Sequence, residues 1–495
     1  MSMKLFGMIA ALAALSAAPA WAAPDLAKMT SGELTAFTKA MPKGGELHNH
    51  VSGAIFPETF LKWAVEDGLC VDVVALAFRP ACTPAGDLRS AASVLASDTL
   101  RAALYDSLTT REPGFAGRSG HDQFFSAFNR FGLAGDKRPG DELAEVLDGL
   151  ARQNTFYLEA MITPQAAATV ILGVKVGWKD GDLAAQKQAL IEAGLGQLVG
   201  PAIAQTDAME AAARQTMQCG TRQARPGCQV TVRYLMQANR VAPLASTFAQ
   251  LQLGVALVQA DTRWVGLQMV APEDHPAALA NYSQHMKMVG FLTERGRLAP
   301  AALHAGELSF KYATPADMSF HVGEAVRVAG ARRIGHGTAL PHEDDAEGLA
   351  AEMAAKGVLV EVNLTSNDVI LEVSGARHPY AWLRDRGVPV SLSTDDAGIL
   401  RIDLAHEYAR AADEGASYAD LKRSARNAIA FSFLTGEGLW TDPNIYKRPA
   451  KACAGQIGAE TPRPGACADL LAGSDKAREQ WRHERLLKAF EAARR

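Results

Sequence analysis

Gly44-Gly45-Glu46-Leu47-His48-Asn49-His50-Val51-Ser52-Gly53-Ala54 is the stretch around which the chain is organised. Side chains alternate along an extended segment, so His48 and His50 project to the same face. Where that face looks into a barrel, both imidazoles can reach one metal ion. The flanking glycines let the backbone crowd a pocket and then turn away from it. A lone His-x-His pair is weak evidence, because most such pairs are surface or hydrogen-bonded histidines. The rest of the chain has to decide.

Upstream, residues 1–22 read as a signal peptide. Lys4 is a positive start, Leu5 to Ala18 an apolar run, and Ala20-Trp21-Ala22 an A-x-A cleavage site. The run is too short for a stable span, and no later stretch reaches the 18 or so apolar residues a membrane helix needs. Export to a periplasm or the outside is the expectation, with no stable membrane insertion. Six cysteines form three close pairs, Cys70 with Cys82, Cys219 with Cys228 and Cys453 with Cys467. Fifteen connectivities are open to six cysteines, and local loops are the simplest in an oxidising compartment. None has C-x-x-C spacing, so they read as staples. The whole chain carries a formal charge of −4, and −5 once Lys4 is removed with the leader. That balance gives no basic footprint for nucleic acid.

Downstream, residues 23–43 read as a short helical segment, with a capped helix at Ser31 to Ala40. Counting Glu46 to His50 as the first, eight strand-like runs follow one another. The others are Thr155 to Ile162, Gln229 to Met236, Arg263 to Val270, Ala301 to His304, Arg333 to His336, Val358 to Leu364 and Val388 to Ser393. Helical patterns separate them. Strands alternating with helices imply a parallel sheet, and eight suggest a closed (β/α)8 TIM barrel over residues 44–435. Cys70 to Pro113 reads as an irregular loop with one helix near Ala91 to Asp106. Residues 165–228 read as a helical insertion closed by Cys219 and Cys228. Residues 436–495 form a Pro-rich, disulfide-stapled extension ending in a helix, Asp475 to Arg494. Phe124, Phe128 and Phe131 make a helical stripe, more simply core packing than pocket lining.

Three further polar clusters fall at the C-terminal ends of expected strands, where barrel active sites are built. They are His304-Ala305-Gly306-Glu307, Gly335-His336-Gly337 and Ser393-Thr394-Asp395-Asp396. Any one of them is readily a satisfied core histidine or a helix cap. Four clusters at one end of one barrel are hard to explain as coincidence.

With Met41-Pro42-Lys43 ahead of the first cluster, and with His-Ala-Gly-Glu, Ile-Gly-His-Gly and Ser-Leu-Ser-Thr-Asp-Asp in order, the chain resembles the adenosine deaminase family of metal-dependent amidohydrolases. The likeness spans roughly residues 41–435. Export, local disulfides and the insertions look more like its secreted growth-factor branch. The resemblance implies one Zn2+ per chain held by His48, His50, His304 and Asp395, a set of three nitrogens and one oxygen that suits zinc. Gln268 on the fourth strand leaves no candidate for the bridging lysine of two-metal relatives. It also implies that Glu307 protonates the purine ring nitrogen, that His336 orients the attacking water, and that Asp396 binds N7. Attack at C6 then expels ammonia. The H-x-E and P-C-x-x-C signature of cytidine deaminase-type enzymes is absent.

Two positions depart from the family. Ser52 stands where the family has an aspartate that contacts ribose, and Ala271 where it has a glycine whose N–H meets purine N3. Phe124 and Phe128 complete the expected substrate contacts. From Ser52 alone, looser reading of the ribose is expected. The leading expectation is therefore an exported deaminase of a purine nucleoside. The alternatives are an amidohydrolase acting on a modified purine, free base or cyclic amidine, and a secreted nucleoside-binding protein without turnover.

Overall fold

The structure is a computed structural model that describes residues 23–112 and 114–494. The expected leader, residues 1–22, lies outside the described residues. Eight parallel strands form the barrel: β1 (Gly44–His50), β2 (Thr155–Ile162), β3 (Thr231–Asn239), β4 (Trp264–Val270), β5 (Ala302–Ala305), β6 (Arg333–His336), β7 (Leu359–Val362) and β8 (Val390–Leu392). β1 to β4 pair in order as one half, and β5 to β8 as the other. Two single bridges close the ring, Leu267 with Ala301 and Asn49 with Asp395. At the second, the His50 N–H donates to the Asp395 carbonyl (3.2 Å) and the Asp395 N–H to the His48 carbonyl (3.1 Å).

Alternation sorts the strand residues. Leu158, Leu303, Ile334, Val360 and Leu392 face the helices in the main core. The opposite faces are strongly polar. Arg333 on β6 pairs with Glu361 on neighbouring β7 (2.6 Å) and with Glu159 on non-neighbouring β2 (2.6 Å), a reach that only the barrel interior allows. Beside this pair, Met161, Leu235, Val265 and Ala302 form a small apolar layer capped by Phe433. The Phe433 ring stacks on the Arg333 guanidinium, 3.9 Å from its centroid.

The helix Pro139–Ala151 shows how a rim residue is placed. Pro139 opens the first turn, where a missing N–H costs nothing, and Asp141 and Glu142 sit where the helix dipole favours acid. Leu143, Val146, Leu147 and Leu150 are buried at helical spacing. The helix precedes β2, so it starts at the end of the barrel where the strands finish. The insertion after β2 is helical as expected, with Ala166–Val176, Leu183–Glu192 and Val199–Thr216. The three expected cysteine pairs are bonded.

Some local expectations fail. The stretch from Cys70 is not irregular: Cys70–Asp72, Ala77–Arg79 and Leu88–Ser90 form an antiparallel sheet. Three-residue strands are too short for a period-two pattern to register. The helix expected from Ala91 is two helices, broken where Ser97 caps the second. β7 ends at Val362, and Leu364–Leu371 is a helix that carries Ser366 and Asn367 over the barrel mouth. The last helix, Asp475–Ala492, covers the opposite end, where His483 Nε2 donates to the Pro42 carbonyl (3.1 Å). Among the described residues no helix is long and apolar enough to cross a membrane.

Candidate active site

His48 and His50 point to one side of β1, as their spacing requires, and meet His304 from β5 and Asp395 just past β8. His304 Nε2 lies 3.1 Å from His48 Nε2 and 3.3 Å from His50 Nε2. Asp395 Oδ1 is 3.3 Å from each of the β1 histidines. A tetrahedral zinc with ligand bonds of about 2.0–2.1 Å has ligand–ligand edges of about 3.3 Å, and these four spacings are of that length; the groupings close enough to hold one cation are His48, His304, His336 and Asp395, and His50, Asp395 and Asp396. The proton chemistry agrees. His48 Nδ1–H donates to Glu361 Oε2 (2.7 Å), and His50 Nδ1–H to Gln237 Oε1 (3.1 Å), which leaves both Nε2 lone pairs facing the centre. His304 has one Nε2 facing two such lone pairs and cannot satisfy both by hydrogen bonding. Burial disfavours charge on His48, yet the Asp395 and Glu361 carboxylates outweigh it and push the imidazole up to about 10, so its Nε2 takes up either a proton or, in exchange for it, a cation. The pocket attracts positive charge.

Gln268 is buried, and its Oε1 accepts the backbone N–H of His304 (2.7 Å) and of Met269 (2.9 Å). It holds a ligand strand in place of offering a second metal a bridge. Ser366 Oγ donates to the free Asp395 oxygen (2.7 Å). Two glycines make room. A Cβ on Gly335 would sit 2.7 Å from His48 Cε1, and one on Gly53 would sit 1.5 Å from Asp396 Oδ1.

His336 shares this cluster, with ligand-capable atoms of His48, His304 and Asp395 all within 4.8 Å. Its hydrogen bonds exclude it from ligation. The Tyr380 N–H donates to His378 Nδ1 (3.1 Å), so neutral His378 carries its proton on Nε2. That proton goes to Asn367 Oδ1 (3.0 Å), which turns the Asn367 amide so that Nδ2 donates to His336 Nδ1 (2.8 Å). His336 therefore carries its proton on Nε2, 3.5 Å from Glu307 Oε1. Burial holds His378 and His336 each down to about 3, so both rings are neutral. A backbone N–H fixes the tautomer of His336 through two side chains.

Glu307 and Asp396 are buried, and both carboxyls are pushed well above the usual range, first by burial and then by the Asp395 charge. That shift favours the protonated form of each, which can donate a hydrogen bond. Asp396 Oδ1 has no partner among the described residues. The Glu307 loop is clamped by Glu273, whose two oxygens accept the N–H groups of Gly306 and Glu307 at 2.9 Å each. His321 (2.5 Å) and Arg240 (3.4 Å) hold Glu273 in turn.

The other expected residues are placed as follows. Ser52 lines a cavity of about 280 Å3 beside His50. Ala271 lies on the loop after β4 at φ +84°, a region that costs a residue with a Cβ and suits the family's glycine. Phe124 and Phe128 pack edge-to-face with each other and are not among the residues lining that cavity. Phe128 leans on Phe131, which stacks on Phe60. Sequence reasoning missed Glu361, Glu273, Ser366, Asn367 and His378. Only Glu361 left a signal, as an acid within the apolar strand run Val358 to Leu364.

A closed eight-stranded α/β barrel with a three-nitrogen, one-oxygen cation cradle and buried acids at its C-terminal rim defines a metal-hydrolase class of site. The adenosine deaminase family signature matches residues 143–439, and the chain belongs to that family. An adenosine deaminase of Shewanella loihica is 30% identical over 208 residues, 41% of this chain and 57% of that protein. That of Escherichia coli O1:K1 is 29% identical over 217 residues, 43% and 60% of the two chains. The matched stretches thus span less than two thirds of either relative. The crystal structure of the Arabidopsis N6-mAMP deaminase superimposes with a TM-score of 0.51 at 20% identity, covering 80% of this chain and 95% of that one, a likeness of fold.

Proposed function

We propose that the protein catalyses zinc-dependent hydrolytic deamination of a 6-aminopurine nucleoside, adenosine or a close relative, giving the inosine-type product and ammonia. One observation carries it: three histidine nitrogens and an aspartate oxygen gather beside two buried acids and a histidine whose proton is directed toward them. His48, His50, His304 and Asp395 would hold the ion. When bound, Zn2+ acidifies a water molecule so that hydroxide is available near neutral pH.

The chain's own groups supply the rest. His336 Nε2–H donates to the attacking oxygen and stabilises charge there. Glu307 delivers its proton to purine N1 as C6 becomes tetrahedral, and Asp396 donates to N7. The C6 hydroxyl then gives up its proton to the amino group, the C6–N bond breaks, ammonia leaves and C6 becomes a carbonyl. Burial of both acids keeps their protons in place until substrate arrives. The three local disulfides and the apolar leader support an exported protein working in an oxidising compartment, as do the features shared with the secreted growth-factor branch.

The test is direct. Purified protein should hold one equivalent of zinc by elemental analysis, convert adenosine to inosine, and lose activity on chelation. Two tightly held equivalents would sink the mononuclear assignment. A zinc-loaded protein inert toward a panel of 6-aminopurine nucleosides would sink the activity.

A further inference from the structure

The cavity beside the metal ligands holds a carboxyl group that the proposed chemistry does not use. Ser52, two residues beyond His50, forms part of its wall, and Gln237, hydrogen-bonded to His50, forms another part. A base held at the four proposed ligands with its N9 edge toward β1 and β3 would set its N9 substituent in this space. Its volume, about 280 Å3, lies just under the roughly 300–1,000 Å3 of whole-ligand pockets, which suits part of a ligand. The insertion helix Val199–Thr216 closes the far wall with Gln205 and Thr206.

Glu142 enters the same wall from the first turn of the helix Pro139–Ala151. It is 9% exposed, its Oε1 packs against Gly135, and its carboxyl has no hydrogen-bond or ion-pair partner among the described residues. An unpartnered buried carboxyl is costly, and a protein that keeps one at a cavity wall gains when something docks there. Among the described residues no lysine or arginine lines the cavity. A phosphate dianion would be stripped of water there without a compensating cation, whereas hydroxyl groups find a carboxyl, a serine, a threonine and an amide.

We propose that Glu142 is a specificity-determining residue that binds a sugar hydroxyl of the nucleoside, replacing from another element the aspartate that Ser52 lacks, and that the cavity selects nucleosides over their 5′-phosphates. The inference rests on the deaminase reading above. It also changes the expectation from Ser52 alone: the sugar is read firmly, from the helix before β2. Burial pushes the Glu142 carboxyl up to about 8, helped by the charges of Asp136 and Glu145. Either protonation state can hold a hydroxyl.

The experiment measures kcat/KM of zinc-loaded full-length wild type, Glu142→Ala, Glu142→Gln and Ser52→Ala with adenosine, its 2′-, 3′- and 5′-deoxy analogues, and AMP. Glu142→Ala should lower kcat/KM for adenosine roughly tenfold or more, mainly through KM. For one deoxy analogue it should change little, because the partner hydroxyl is already gone. Glu142→Gln, which keeps the shape, should lie between, and it carries the same comparison if the alanine variant does not fold. Ser52→Ala should change little. Losses equal across all four nucleosides, no loss at all, or AMP turned over as well as adenosine would each overturn the inference. Wild type that turns over no nucleoside overturns the proposed function and this inference together.

Discussion

Asn367→Asp changes one atom type at a buried site and tests the proton assignment of His336. In the wild type, Asn367 Nδ2 donates to His336 Nδ1 at 2.8 Å, and Asn367 Oδ1 accepts from His378 at 3.0 Å. An ionised aspartate of the same shape has no donor, so His336 must turn its single proton to Nδ1. The His336 Nε2 then presents a lone pair, 3.5 Å from Glu307 Oε1, where it had presented N–H. The attacking oxygen loses a preorganised donor, a change worth about 10²–10³-fold in kcat, and as much as about 10⁴-fold where a wrong tautomer disables a catalytic histidine. We expect kcat to fall within that range with KM changed only a few-fold and zinc retained, because no ligand to the ion is touched. Ultraviolet assay of adenosine loss, elemental analysis and nitrogen NMR of the imidazole report the three quantities. A zinc-loaded variant within about threefold of wild-type kcat, or one that still carries the His336 proton on Nε2, would refute the relay.

Glu307→Gln should lower kcat by about 10²–10⁴-fold while keeping zinc and fold, since an amide cannot deliver the proton; near-normal kcat in loaded protein contradicts the assignment. Ala271→Gly should raise stability by about 0.5–1 kcal/mol, because relief of the strain at φ +84° exceeds the added chain entropy; a lower melting temperature contradicts it. Glu273 is held down to about 2: burial opposes this, but His321, Arg240 and two backbone N–H groups outweigh it. Its stabilisation is full above the ordinary carboxyl value of 4.5 and is lost as pH falls toward 2. It is worth on the order of 3 kcal/mol by linkage. Glu273→Gln should flatten the acid limb of stability against pH in urea unfolding, and an unchanged limb would show that other groups set it.

The barrel and the cluster that could hold a metal were legible because both rest on periodicity. His-x-His on a strand, and histidine or aspartate just past an apolar run, place side chains by geometry that a linear text preserves. Residues that hold those side chains follow no such rule. His378 reaches His336 only because Leu364 opens a helix where the run from Val358 reads as continuing strand. Glu142 reaches the cavity because a helix opened by Pro139 happens to begin at the rim. Partnership across elements distant in sequence is a property of the folded chain. The Phe124 stripe is a strong periodic signal whose rings pack on one another and, through Phe131, on Phe60.

The ring of strands consists of two arcs, each well laddered within, joined at two places by one bridged residue pair apiece. The proposed ligands straddle one of those joints: His48 and His50 belong to the first arc, His304 and Asp395 to the second. A cation bound by all four would act as a clasp across the least knitted line of the barrel, and its affinity would enter the folding equilibrium directly. Removing it would cost the protein its girth as well as its chemistry, with opening beginning where Asn49 meets Asp395.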